Sequence, residues 1–414
     1  MRSPFIILSQ ALGLALAGAL AHAQPSATSG VGLGEKSRLH AKLDLSTMYD
    51  TNAFRLSDDD RVDENWRLLI RPGLWLEVPG SSFSFRLRGD ATITQFLNDV
   101  PVTDQDSTQI GGNVGLEFKA GSDRSAVAFT IVDTLTRTPV FLSPPESVAA
   151  DEVRFPEWRN EGQARVTVRP GGRALELDFG YRNSVSFFEE LADSHQHLGL
   201  FDVRWKFLPK TALVLLSEFG LFVNEGNRVG NDATPLTVQV GLIGQLTSKF
   251  IAELRAGYGN SLVWANDDVF GSQSEASQDT VIGAAFLTYR PSDRSTITAG
   301  YERSVRPLII FDSFIQDSIQ LRASLGIDRL VGQVFGSYNL RNYGLNDRFA
   351  QTVLGGVSVD YYLVRYVSLG AQYRITYQDS DDDEQDQTAL GDPTNPFVGD
   401  FTRHQVVFNV GVEY

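Results

Sequence analysis

The strongest constraint in this sequence is a two-residue alternation of apolar and polar side chains that recurs from Leu39 to Tyr414. Residues 67–78 show it well, because every second side chain there is apolar and the positions between them include Arg67, Arg71 and Glu77. Successive side chains of a β-strand point to opposite faces, so the pattern predicts strands that separate an apolar medium from a polar one.

The connections between these segments alternate between short and long. Short ones carry Pro, Gly and Asp in turn positions, as in the sequence Arg169-Pro-Gly-Gly-Arg173, whereas the long ones are polar and mostly acidic. This layout is typical of bacterial outer-membrane barrels with short periplasmic turns and long extracellular loops. A soluble β-sandwich or propeller is the alternative, but it does not account for the regular alternation.

The sequence therefore predicts an all-β fold, a transmembrane antiparallel β-barrel of about 18 strands. The predicted strands begin near Leu39, Trp66, Phe83, Thr108, Ala126, Gly162, Leu175, His197, Leu213, Leu236, Phe250, Thr280, Thr296, Ser318, Val331, Thr352, Val367 and Thr402. Aromatic residues recur near both ends of the apolar faces, as expected for the two girdles at the membrane interfaces.

The N-terminus is expected to be a processed targeting segment. Arg2 precedes an apolar stretch over residues 5–20, and Ala21-His22-Ala23 has the small-x-small pattern of a signal-peptidase site. We predict a signal peptide over residues 1–23, a short periplasmic segment over residues 24–38, and one barrel domain over residues 39–414.

Composition excludes several classes of function. The chain has no Cys and a formal net charge of −15, which argues against disulfides, thiol chemistry and a nucleic-acid partner. No catalytic motif and no cofactor signature appears, so we predict that the protein is not an enzyme and has no cofactor. We predict no metal site either, because the pair His195 and His197 lacks a third ligand. The acidic runs at residues 58–61 and 379–384 favour solvated loops over calcium sites.

Charged residues fall on the face opposite the apolar one and are predicted to line a water-filled pore, because charge is costly against lipid. Two interpretations remain open: a somewhat arginine-rich wall suited to passing hydroxyls and carboxylates, or cross-strand ion pairs that only solvate the wall. The pore-lining candidates are Arg67, Arg71, Arg86, Arg88, Asp90, Arg165, Arg182, Arg204, Glu253, Arg255, Arg322 and Arg374.

The last segment alternates strictly and ends on an aromatic residue. Its apolar face is Phe408, Val410, Val412 and Tyr414, following Val406. It looks like the signal that the barrel-assembly machinery reads, and it must pair with the first strand, because a barrel in lipid leaves no open edge. Outer-membrane lipid and lipopolysaccharide are the expected surroundings.

Four stretches resemble a family of outer-membrane barrels from polysaccharide-export gene clusters, the β-barrel porin type 2 family, including the myxobacterial exopolysaccharide-export barrels. They are Tyr49-Asp-Thr-Asn-Ala-Phe-Arg55, Arg71-Pro-Gly73, Asp133-Thr-Leu-Thr-Arg-Thr138 and Trp205-Lys-Phe-Leu-Pro-Lys-Thr211. The second half of the chain resembles the family only in architecture. The resemblance implies a conduit for a capsular polysaccharide or exopolysaccharide that works with a periplasmic polysaccharide-export protein.

Polysaccharide export is therefore the leading hypothesis for function, and three alternatives remain. The first is a general-diffusion porin for small solutes. The second is a barrel hydrolase that uses His195 or His197, and the third is a structural surface protein without a pore. Residues 139–156 and 379–399 are the candidates for a segment that constricts the lumen.

Overall fold

The computed structural model describes residues 30–33, 37–52, 64–98, 107–122, 124–138, 157–171, 173–188, 193–225, 232–264, 277–307, 313–343, 349–380 and 400–414. They form twenty-one strands, of which three have two residues and eighteen are long. We number the long strands β1 (Arg38–Asp50), β2 (Asn65–Val78), β3 (Phe83–Phe96), β4 (Thr108–Ala120), β5 (Val127–Thr138), β6 (Glu157–Val168), β7 (Leu175–Phe188), β8 (Asp193–Leu208), β9 (Thr211–Glu225), β10 (Leu236–Gln245), β11 (Phe250–Asn260), β12 (Asp279–Ser292), β13 (Ser295–Pro307), β14 (Ser313–Ile327), β15 (Leu330–Tyr343), β16 (Phe349–Val364), β17 (Val367–Ser380) and β18 (Phe401–Glu413).

Each long strand pairs antiparallel with its neighbours in the chain, and the sheet closes on itself. β18 pairs with β1 from Lys42 opposite Glu413 to Asp50 opposite Gln405. Beyond that ladder, the backbone groups of Ala41 and Tyr414 exchange two hydrogen bonds, of 3.1 and 2.9 Å. Closure removes the unpaired edge that hydrocarbon could not solvate. The predicted fold, a closed antiparallel barrel of 18 strands, is confirmed.

The three two-residue strands lie at the ends of the barrel. Val31–Gly32 pairs with the first residues of β1, and Asp232–Ala233 pairs with Val263–Trp264 on the long-loop side. None of the described residues belongs to a helix long and apolar enough to cross a membrane.

The predicted alternation separates two faces of the sheet. One face exposes large apolar side chains such as Leu254, Leu321 and Val334, with 60 %, 51 % and 51 % of their surface accessible. The opposite face carries the charged and polar residues, for example Arg255 and Arg322 beside two of those positions. We call these the outer and inner faces. Their contrast is what a barrel between lipid and water requires.

Aromatic contacts mark the two rims of the outer face. At the short-turn rim Phe250 stacks on Tyr289, with ring centroids 4.7 Å apart. At the long-loop rim Tyr49 packs against Trp66 with centroids 5.1 Å apart. Aromatic rings favour the headgroup level of a bilayer, so these contacts bracket the apolar band.

Every predicted strand has an observed counterpart, but two strands begin five residues earlier than predicted. β6 begins at Glu157 rather than near Gly162, and β14 begins at Ser313 rather than near Ser318. The added residues of β6 include Glu157, Arg159 and Asn160, and they are polar on both faces. This part of β6 therefore lacks the apolar alternation that predicts a strand. The added residues of β14 include Phe314, which is buried against Tyr343 on the inner face instead of facing lipid.

Candidate channel wall

The inner face of β1–β8 is built mainly from ion pairs. Arg86 donates to Glu77 at 2.8 Å and to Glu117 at 3.5 Å, and Arg88 donates to Asp90 at 3.1 Å. Arg86 pairs with residues of the two neighbouring strands that share its face, whereas Arg88 pairs with a residue two positions along its own strand. The contacts therefore match the second interpretation of the charged face, ion pairing, with pairs both across strands and within one strand.

These pairs leave both arginines widely accessible. The Arg86 and Arg88 side chains keep 52 % and 55 % of their surface exposed. Pairs so exposed add little stability, because water screens them and the long side chains lose entropy when held. Both guanidinium groups therefore remain available to ions or solutes that pass along β3.

A second group of cations converges on one carboxylate near the short turns. Glu176 of β7 lies 2.6 Å from Lys206 Nζ, 3.6 Å from Arg169 Nε and 3.8 Å from Arg204 Nη1. Three positive groups thus share one buried carboxylate, with Asp178 and Asp202 two residues further along the same face. The sequence indicated the charged face but not this convergence.

A third group joins the first, second and last strands at the long-loop end. Asp50 of β1 accepts hydrogen bonds from Arg403 of β18, the shortest being Nε to Oδ1 at 2.9 Å and Nη2 to Oδ2 at 2.6 Å. It also accepts from Gln405 Nε2 at 3.0 Å and from Arg67 Nη2 of β2. All four side chains are buried. We call Asp50, Arg67, Arg403 and Gln405 the closure cluster.

The other predicted pore-lining residues are spread around the inner face rather than gathered in one site. Arg165 pairs with Asp202 at 3.5 Å, and Arg182 with Glu218 at 3.4 Å. Glu253 pairs with Arg255 at 2.7 Å. Arg374 lies 5.7 Å from the Phe335 ring, Arg71 interacts electrostatically with Asp44 and Asp90, and Arg322 lies opposite Thr298.

The inner face of β8–β12 differs, because much of it is apolar and buried. Sequence reasoning missed this surface. The signal was present in β9, where residues 212–216 are apolar on both faces, a pattern typical of a strand buried on both sides. The buried apolar residues are Leu198, Leu200, Ala212, Val214, Ile243, Ile251, Ile282, Ala284 and Phe286. The exposed arginines Arg86 and Arg88 therefore lie on a different part of the wall, on β3.

Residues predicted for other roles lie away from this wall. His195 and His197 are on the outer face, where His197 Nδ1 is 2.6 Å from the Tyr181 hydroxyl. Phe408, Val410, Val412 and Tyr414 are exposed on the outer face of β18, with the last residue just beyond it. Their role as an assembly signal stays a prediction. Residues 58–61, 139–156 and 381–399, which include most of the acidic runs and both candidate constrictions, lie outside the described residues.

Comparisons with known proteins agree with this architecture. The family model described as "Putative beta-barrel porin 2" matches residues 225–390. The sequence motifs that suggested this family lie mostly in the other half of the chain, so the two observations are independent. The link to myxobacterial export barrels is not tested by this match. None of the curated proteins matches the chain.

Solved outer-membrane channels share the fold at low sequence identity. OccAB4 of Acinetobacter baumannii aligns with a TM-score of 0.50 and 12% identity, covering 92% of this chain and 99% of that one. OccK8 (OprE) of Pseudomonas aeruginosa gives a TM-score of 0.49 and 13% identity, with coverage of 93% and 99%. OpdK of Pseudomonas aeruginosa, solved with vanillate, gives 0.46 and 13%, with coverage of 91% and 99%. The protein thus has the closed antiparallel barrel fold of OccAB4, and over residues 225–390 it is similar to the putative beta-barrel porin 2 family.

Proposed function

We propose that this barrel is a passive channel for small polar solutes. The observation that carries the proposal is the exposure of Arg86 and Arg88 on the inner face of β3, within a wall of paired charges. A closed eighteen-strand barrel is wide enough for an aqueous lumen, and charged arms that stay accessible there need water around them.

The rival hypotheses have less support. Polysaccharide export rests on the sequence motifs alone, and neither the family match nor the solved channels support it. The barrel hydrolase depended on His195 and His197, which lie on the outer face, away from any lumen. A measurement of ion conductance distinguishes a structural protein without a pore from a channel.

Planar lipid bilayers provide the test. We expect the purified barrel to give discrete conductance steps, and we expect Arg86→Ala/Arg88→Ala to lower the permeability of chloride relative to potassium. Removing two exposed positive groups from the path reduces the local attraction for anions, and the effect should fade at high salt. The measurement is the reversal potential across a salt gradient.

The matched control is Arg303→Ala, which removes an arginine of similar type from the outer face, where it pairs with Asp317 at 3.0 Å. Its ion selectivity should equal that of the unmodified barrel. Absence of conductance would exclude a channel. An equal selectivity change in both variants would show that the inner face of β3 is not the path.

A further inference from the structure

The outer face carries a carboxylate where hydrocarbon is expected. Asp133 of β5 lies opposite Leu116, which in turn lies opposite Leu87, an exposed apolar residue of the outer face. The cross-strand neighbours of Asp133 therefore place it on the lipid side of the wall. This residue opens one of the sequence motifs, and the channel leaves it unexplained.

The depth of Asp133 follows from two contacts in the same strand. Four residues towards the short turns, Phe129 packs on Phe118 with centroids 6.5 Å apart. Four residues towards the long loops, Arg137 lies 5.7 Å from the Trp158 ring. Asp133 thus sits midway between two aromatic levels that mark the membrane interfaces.

Two amides accompany the carboxylate. Asn160 Nδ2 donates to Asp133 Oδ1 at 2.9 Å and to Oδ2 at 3.3 Å. Asn183 lies in the same register row, separated from Asp133 only by Gly162, and its side-chain amide has no hydrogen-bond partner among the described residues. Polar groups left incompletely satisfied in hydrocarbon are costly. We call Asp133, Asn160, Gly162 and Asn183 the polar patch.

The surface on either side of the polar patch is not smooth. Towards β1 there is a shallow apolar groove, whose floor at Gly89 lacks a side chain; its walls include Leu74, Leu87 and Val114. Towards β8 there is a ridge formed by Phe179 and Phe201, with ring centroids 5.2 Å apart and both rings exposed. From β2 to β8, the outer face therefore presents the groove, then the polar patch and then the ridge.

We propose that the polar patch is the contact surface for a second copy of this chain, related by a two-fold axis along the membrane normal. All copies have the same orientation in the membrane, and such an axis brings patch against patch and the groove of each copy against the ridge of the other. The patch contains both an acceptor, Asp133, and amide donors, so two copies complement each other. Gly162 lets the two backbones approach closely, as small residues do between helices in membranes.

Single cysteines test the contact directly, because the chain has none of its own. Leu135→Cys and Ala164→Cys place a thiol on the outer face beside the patch. We expect mild oxidation of native outer membranes to give a disulfide-linked species of twice the chain mass with either variant. Val334→Cys, on the opposite side of the barrel and also exposed on the outer face, should stay monomeric.

A second measurement separates association from folding. In the double variant Asp133→Leu/Asn160→Leu, the mass of the detergent-solubilised species, measured by light scattering, should fall from two copies to one. The gel mobility of unheated samples should show that the barrel is still folded. The proposal would be overturned if no disulfide formed at positions 135 and 164, if position 334 formed one equally well, or if the thiols linked to a different polypeptide. An unchanged mass in the leucine variant would also overturn it.

Discussion

Replacing Asp50 by alanine is expected to destabilise the barrel by about 3–5 kcal/mol, because it leaves two buried guanidinium groups without their counter-charge. Arg67 and Arg403 both donate to this carboxylate, and both are at most 5 % exposed. The comparison is the free energy of unfolding in urea, measured on barrels folded into lipid vesicles.

The effect should be large because the closure cluster lies where the last strand meets the first. Asp50 and Arg403 are separated by 353 positions in the chain. A slip of β18 by two residues would keep the inner face inward but separate Arg403 from Asp50, so the cluster favours one register of closure. We therefore also expect the folded barrel to form more slowly, as followed by gel electrophoresis of unheated samples.

Glu117→Ala is the matched control. Glu117 also pairs with cations on the inner face, since it accepts a hydrogen bond from Arg86 at 3.5 Å and contacts Lys119, but both cations are more than half exposed. An exposed pair contributes at most about 1 kcal/mol. Equal losses in the two variants would show that the closure cluster has no special weight.

An arginine introduced on the outer face should lower the free energy of unfolding nearly as much as Asp50→Ala does. Leu321 of β14 is half exposed on that face, whereas Gln320 and Arg322 on either side of it lie on the inner face. Leu321→Arg places a charge in hydrocarbon, which costs about 2–4 kcal/mol near the midplane of the bilayer. Gln320→Arg, one residue away, should change the unfolding free energy by less than about 1 kcal/mol, because its side chain meets the wet side of the wall. Equal costs at the two positions would mean that the faces are not exposed to different media.

Much of this architecture could be predicted because every second residue of a membrane-spanning strand faces lipid and must be apolar. The strand starts, the closing pair of strands and the face on which Arg67, Arg165 or Arg255 lies all follow from parity and the need to satisfy backbone groups in lipid. Those predictions needed no knowledge of how far neighbouring strands are staggered.

The pairing of charges could not be predicted, since it depends on the stagger between strands, which parity leaves open. Glu176 meets Lys206 from the adjoining strand, while Arg165 reaches Asp202 two strands away. Asp133 shows the opposite case. Its neighbours on the outer face, Ile131 and Leu135, are apolar, so the alternation already marks Asp133 as a polar residue in a lipid-facing row.

The most direct test of the two-faced wall is thiol labelling along β3, in a chain that contains no native cysteine. Single cysteines at Arg86, Arg88 and Asp90 should react with a membrane-impermeant maleimide in intact outer-membrane vesicles. Cysteines at Phe85, Leu87 and Gly89 should react only after the membrane is dissolved. Uniform reaction along the strand, or reaction at 85, 87 and 89 alone, would contradict a wall with water inside and lipid outside.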